Sequence, residues 1–233
     1  MQKTDTAIAK RADTPPVPKD IKGLLEHETT QGQLASVMPE DAKPERLLRL
    51  ALSALRQTPG LLKCTPASFF GSLIGACALG LEVNTPAGEA YLVPFKVKGK
   101  PTCTLIVGYR GLSKLAYQHE KVVSIARHAV KANDVFRIAY GTEETIVHEP
   151  KTGDRGPTIG AYAVVKLANG GSISKYMPLD EINSHRPSHW ESTPWGDKNE
   201  HVVDEMRTKT VLKSILKDTP STANARRAVT IDE

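Results

Sequence analysis

From position 90 the chain reads Ala90-Tyr91-Leu92-Val93-Pro94-Phe95-Lys96-Val97, then Lys98-Gly99-Lys100, then Pro101-Thr102-Cys103-Thr104-Leu105-Ile106-Val107 and Gly108-Tyr109-Arg110-Gly111-Leu112. Tyr91, Val93, Phe95 and Val97 alternate with Leu92, Pro94, Lys96 and Lys98, and a period of two is the signature of a strand. A second strand-like run follows at 102–107, so Lys98, Gly99 and Lys100 form the tip of a hairpin. From Tyr109 to Glu120 the spacing of Leu112, Leu115 and Ala116 becomes helical.

Downstream, strand-like runs occupy 122–130, 134–140 and 145–148, and a further hairpin covers 159–167 and 172–177, with Asn169-Gly170-Gly171 as its turn. A closing helix is expected over 202–217. It places Val211, Leu212, Ile215 and Leu216 on one side, with Lys209, Lys213 and Lys217 in a stripe about 130° away. Upstream, Leu24, Leu25 and Leu34 suggest a helix over 21–37. Pro44 opens an amphipathic helix through Leu47, Leu48, Ala51, Leu52 and Leu55. Thr65-Pro66 caps another, whose Phe69, Phe70, Leu73, Ile74, Cys77 and Leu79 make it apolar nearly all round, as for a helix inside the protein. The order predicts an α+β fold: an antiparallel β-sheet with helices packed on it, one of them inserted between strands. Pro15, Pro16 and Pro18 mark residues 1–20 as a disordered arm, 219–233 reads as a second flexible tail, and 21–218 as one domain.

Composition narrows the function. The 233 residues, 39% hydrophobic, suffice for a real core, and no apolar run reaches the roughly 18 residues that span a bilayer. Three cysteines without Cys-x-x-Cys spacing argue against disulfides and a thiolate zinc site, and fit a reducing cytosol. Export and membrane insertion are not expected. Lys plus Arg exceed Asp plus Glu by five over the whole chain, yet residues 87–140 alone hold nine basic residues against three acidic. The same stretch contains Tyr91, Phe95, Tyr109, Tyr117, Phe136 and Tyr140, half of the aromatic residues. Cations neutralise phosphates and planar rings stack on unpaired bases, so their interleaving suits a groove for single-stranded nucleic acid. The plainer alternative is that the rings fill a core face while the lysines solvate the other.

Enzymatic signatures are sparse. Neither a Gly-x-x-x-x-Gly-Lys-Ser/Thr loop nor Gly-x-Gly-x-x-Gly occurs, so work on DNA is expected without ATP or another cofactor. His185 and His189 stand four apart, but Pro187 between them disfavours the continuous helix a zinc pair would need. The adjacent acids Glu143-Glu144 and Asp204-Glu205 point apart on any regular element, which weakens a two-metal nuclease reading. No catalytic or metal-ligating set is predicted.

Ordered blocks carry a resemblance. Phe69-Phe70-Gly71, Gly80-Leu81-Glu82, Tyr91-Leu92-Val93-Pro94-Phe95 and the run from Leu105 through Tyr109-Arg110-Gly111-Leu112 resemble the RecT family of phage single-strand annealing proteins. Tyr162-Ala163-Val164-Val165, Pro194-Trp195, Met206, Lys209-Thr210, Lys213 and Lys217 continue the pattern, over roughly residues 21–220. The chain departs from it with Val83 after Gly-Leu-Glu and with Arg207-Thr208-Lys209-Thr210 in place of two adjacent basic residues. The resemblance implies ATP-independent binding of single-stranded DNA and annealing of complementary strands to duplex in homologous recombination. It further implies a homo-oligomeric ring or helical filament, a phage-encoded 5′-to-3′ exonuclease partner, action in the cytoplasm of a bacterial host, and a core like that of Rad52 and lambda Red beta.

On this reading Lys96, Lys98, Lys100, Arg110, Lys114, Arg127, Lys209 and Lys213 are the candidate phosphate contacts. Arg110 comes foremost, between two glycines at a strand-to-helix junction, and Tyr109 is the candidate stacking ring. A non-annealing single-strand binder and a metal-dependent nuclease are the rival readings.

Overall fold

The computed structural model describes residues 20–37, 43–142 and 144–232. The expected arm, 1–20, lies outside these except for Asp20, whose carboxylate accepts from the Gly23 amide and caps the first helix.

The expected helix over 21–37 is two: α1 (Ile21–Glu26) and α2 (Glu28–Ser36), separated at His27, whose backbone is extended. Leu25 and Leu34 are nine residues apart, which at ~100° per residue puts them on opposite faces of a straight helix. The break at His27 lets both bury to 1% exposure. α3 (Pro44–Gln57) follows, with Leu47, Ala51, Ala54 and Leu55 buried. α4 (Pro66–Leu79) begins as the sequence indicates, with the Thr65 hydroxyl accepting from the Ser68 amide, and ends at Gly80 in the left-handed region (φ 65°). Phe69, Leu73, Ala76 and Cys77 are all fully buried on it, and burial pushes the Cys77 thiol up to about 12.

β1 (Ala90–Val97) and β2 (Lys100–Val107) form an antiparallel hairpin in the register Val97↔Lys100. Its two-residue turn has positive φ at both Lys98 (49°) and Gly99 (77°), the mirror-image geometry that matches strand twist. Ala90, Leu92, Cys103, Leu105 and Val107 bury one face of the hairpin against α4. After α5 (Tyr109–Tyr117), β3 (Val122–Lys131) pairs with β6 (Thr158–Leu167), which pairs with β7 (Ser172–Pro178). β4 (Val135–Ala139) and β5 (Thr145–Glu149) make a second hairpin on the excursion between β3 and β6. The fold is α+β and antiparallel as predicted. Its strands divide into a three-stranded sheet and two hairpins rather than one continuous sheet, with α5 between β2 and β3 in the chain.

α6 (Leu179–Ser184) and two short 3₁₀ turns lead to α7 (Glu200–Asp218), which lies on the β3–β6–β7 sheet. Val203, Val211, Leu212, Ile215 and Leu216 are buried along it, each large side chain contributing ~1.5–3 kcal/mol of apolar burial. The segment 219–233, expected as a loose tail, is a helix over most of its length: α8 (Ala223–Ile231), capped by the Thr222 hydroxyl. Ala225, Ala228 and Val229 on one side pack it against β2, α4, α5 and α7. Alanines carry little hydrophobic signal, so the contact was hidden until α5 and α7 supplied a surface.

Candidate nucleic-acid interface

The junction between β2 and α5 is built by close backbone approach. The Gly108 amide donates to the Glu89 carbonyl at 2.8 Å, and a Cβ on Gly111 would stand 2.2 Å from that same oxygen. Only glycine lets the first turn of α5 press against the loop before β1. That contact sets Tyr109 and Arg110 at the base of the β1–β2 hairpin.

Arg110 is exposed. Its Nε donates to the Tyr109 hydroxyl (3.1 Å) and its Nη1 to the carbonyls of Pro86 and Ala87 (3.4 Å each), with no carboxylate in ion-pairing distance among the described residues. The bond to Tyr109, foremost, raises its pKa further, so the group is a permanent cation. Arg127, from β3, lies over the Tyr109 ring with its guanidinium carbon 3.7 Å from the centroid. Glu205 on α7 accepts from Arg127 Nη2 at 2.6 Å, and the Thr208 hydroxyl accepts from its Nη1. β3, α5 and α7 thus meet in a stack of arginine on tyrosine held by a carboxylate. One face of Tyr109 is covered by it, which argues against Tyr109 as the ring on which a base stacks.

At the other end of the hairpin, Lys96, Lys98 and Lys100 are exposed and, among the described residues, no acid pairs with them. Between tip and base, Tyr91, Val93, Phe95 and Val97 line the face turned away from α4, with Tyr91 40% and Val97 49% exposed. Phe95 is covered in part by the His189 ring (centroids 5.6 Å apart), and Arg186 lies against the faces of Trp190 and Trp195 in the same segment.

Four of the predicted phosphate contacts have other work. Lys114 Nζ donates to the Gly80 carbonyl at 3.0 Å and to Glu89 at 2.9 Å, closing the end of α4 onto the loop before β1. Lys209 and Lys213 are not a solvated stripe: Asp232, just past α8, takes Lys209 Nζ at 2.9 Å and Lys213 Nζ at 3.2 Å. Lys209 is 8% exposed, and burial lowers its pKa against the opposing pull of Asp232. The same carboxylate accepts from the Val107 amide, tying α8 and α7 to the residue before Gly108. Arg127 is likewise paired, with its side chain 14% exposed. The structure therefore brings Tyr109, Arg110 and Arg127 together, sets Lys96, Lys98 and Lys100 along the same hairpin, and withdraws Lys114, Lys209 and Lys213 into ion pairs.

Other acids are also engaged. Asp204 and Glu200 share Arg207, Lys131 and the Thr158 hydroxyl in a largely buried cluster where α7 meets β3 and β6. Glu144 accepts from Ser174, and His185 closes α6. Among the described residues no three His, Cys, Asp or Glu side chains are grouped to hold a metal ion, and no helix is long and apolar enough to cross a membrane. Glu89, Glu205, Thr208 and Asp232 were not predicted. Their roles depend on pairings across 25, 78, 81 and 23 residues of chain, which no local pattern records. Tyr91 did carry a signal, the alternation at 91–97.

The sequence from 45 to 233 matches the RecT family, so the match spans α3 through α8 and includes both the hairpin base and the Asp232 clasp. This chain belongs to the RecT family. It is 31% identical to Protein RecT of Escherichia coli (strain K12) over 220 residues, 92% of this chain and 80% of that one. It is also 26% identical to the uncharacterized protein YqaK of Bacillus subtilis (strain 168), over 90% of this chain and 71% of that one. RecT proteins serve DNA recombination and single-strand annealing, and the family is generally non-catalytic. In this RecT-family chain α1 and α2 precede the matched region.

Proposed function

We propose that this protein binds single-stranded DNA along the β1–β2 hairpin, without ATP, and anneals it to a complementary strand as a homo-oligomeric ring or filament. One observation carries the reading: Lys96, Lys98 and Lys100 at the tip of one hairpin and Arg110 beside its base have no carboxylate within ion-pairing distance among the described residues. Pairing itself drives annealing, since each stacked step of duplex is worth ~1.4 kcal/mol. The protein's task is kinetic, because two polyanions repel and free single strands fold on themselves. A strand held by its phosphates, extended and with its pairing edges free, can test register before locking in, and subunits side by side make the track continuous. The strands come from a 5′-to-3′ exonuclease encoded with the protein by a phage, in the cytoplasm of its bacterial host.

The test mixes labelled complementary oligonucleotides with and without the protein, in the absence of nucleotide. An annealer accelerates duplex formation; a protein that only shields DNA slows it and would overturn the proposal. Shortened oligonucleotides after incubation with Mg²⁺ would favour a nuclease instead.

A further inference from the structure

The proposed function requires phosphate contacts, but it does not say what distinguishes single strands from duplex. The outward face of the hairpin carries an apolar ladder, Tyr91, Val93, Phe95 and Val97, whose ends Tyr91 and Val97 are exposed while Val93 and Phe95 are half-buried, His189 reaching Phe95. Aromatic rings elsewhere are committed. Tyr109 is capped by Arg127. Tyr117, at the opposite end of α5 from Arg110, and Tyr140, just past β4, are exposed, and their hydroxyls accept from the backbone amides of Ile125 and Tyr176. Phe136 stacks with Tyr162. Two rings stand on the cationic hairpin; Phe95 is packed against His189, whereas Tyr91 is exposed and its hydroxyl makes no hydrogen bond to the described residues. Gly88 joins it to Arg110: a Cβ there would lie 3.0 Å from the Tyr91 hydroxyl and 3.6 Å from Arg110 Cδ.

We propose that the outward face of the β1–β2 hairpin is a base-stacking subsite for unpaired nucleotides, with Tyr91 as its platform and Arg110 taking the adjacent phosphate. The inference rests on the proposed function and names the feature by which that site recognises single strands. Its occupant is settled by charge: an apolar ladder ending in Arg110 at one side and Lys96, Lys98 and Lys100 at the other fits a chain that is flat and apolar on its bases and anionic on its backbone. From Tyr91 to Val97 the ladder extends ~20 Å at ~3.3 Å per residue. That is about six nucleotides at ~3.4 Å each. Stacking engages the face of a base and leaves its pairing edge open, so a strand held this way remains ready to anneal. Duplex, whose base faces are already occupied, has nothing to offer Tyr91.

The experiment measures affinity of wild type, Tyr91→Phe and Tyr91→Leu for labelled oligothymidylate and for an abasic oligonucleotide of equal length, after thermal melts establish that each variant is folded. Wild type is expected to prefer oligothymidylate. Tyr91→Leu should weaken oligothymidylate binding ~5- to 150-fold, the range of one lost base stack, and leave the abasic strand unaffected. Tyr91→Phe should bind both as wild type does. The salt slope should not change in either variant, since no phosphate contact is lost. Equal loss on both strands, or no loss on either, overturns the stacking role. So does wild type binding both strands equally, whatever the variants do. A changed sedimentation coefficient for Tyr91→Leu with unchanged affinity per subunit would assign the face to a second copy of this chain instead. Wild type that binds neither strand would sink the proposed function itself.

Discussion

The sharpest prediction concerns which cations meet DNA. Of the charged residues on and around the hairpin, Lys96, Lys98, Lys100 and Arg110 lack carboxylate partners, whereas Lys114, Arg127, Lys209 and Lys213 are paired with Glu89, Glu205 and Asp232. Each phosphate neutralised on a single strand contributes about −0.7 to the slope of log affinity against log salt, so four contacts give about −2.8 per subunit. Raising salt from about 50 to 200 mM should then weaken binding ~50-fold. Replacing Lys96, Lys98 and Lys100 together by Gln should cut the slope to about −0.7 and the salt effect to about threefold. Lys209→Met should leave the slope where it was and lower thermal stability instead, because its charge is already matched by Asp232 inside the protein. Fluorescence anisotropy of a labelled oligonucleotide across a salt series measures all three. The reasoning fails if the triple variant keeps the wild-type slope, or if Lys209→Met flattens it as much as the loss of a tip lysine does.

Asp232→Ala leaves the buried Lys209 without its partner, and removing one member of a buried ion pair costs ~3–5 kcal/mol; urea denaturation should show that loss, and hydrogen exchange should show α8 released. Asp134 is fully buried and held well below the usual carboxylate range, chiefly by Arg155, then by His148 and the amides of Lys131 and Lys151, against the opposing effect of burial. Because its folded pKa is depressed, its stabilisation is complete above the unfolded value of about 3.9 and is lost as pH falls toward the lowered one. Urea midpoints should therefore drop more steeply below about pH 4 for wild type than for Asp134→Asn, which should already be less stable at neutral pH because it loses the charge-assisted bonds to Arg155. Gly111→Ala drives a methyl into the Glu89 carbonyl, and overpacking of that kind costs ~1–3 kcal/mol or more; a depressed melting temperature together with weakened oligonucleotide binding would show the hairpin base disturbed.

Where local chemistry decides an element, the sequence determined it. Thr65-Pro66 starts α4, the alternation at 91–97 makes β1, and Lys98-Gly99 closes the turn, because each depends on residues within a few positions of one another. The α+β order and the basic, aromatic hairpin follow from the same short-range rules, and so does the resemblance carried by ordered motifs. Tertiary structure decided which charges are free. Lys209 and Lys213 stand at helical spacing on α7 with no acid following them at i+4, and sequence alone presents them as an anion-binding stripe. Asp232 reaches them only because α8, a helix of small apolar residues with little pattern of its own, finds a surface between α5, α7 and β2. Arg127 is in the same position, spent on Tyr109 and Glu205 by contacts that bring β3, α5 and α7 together. A charge in sequence is a potential contact; its availability is fixed by what folds next to it.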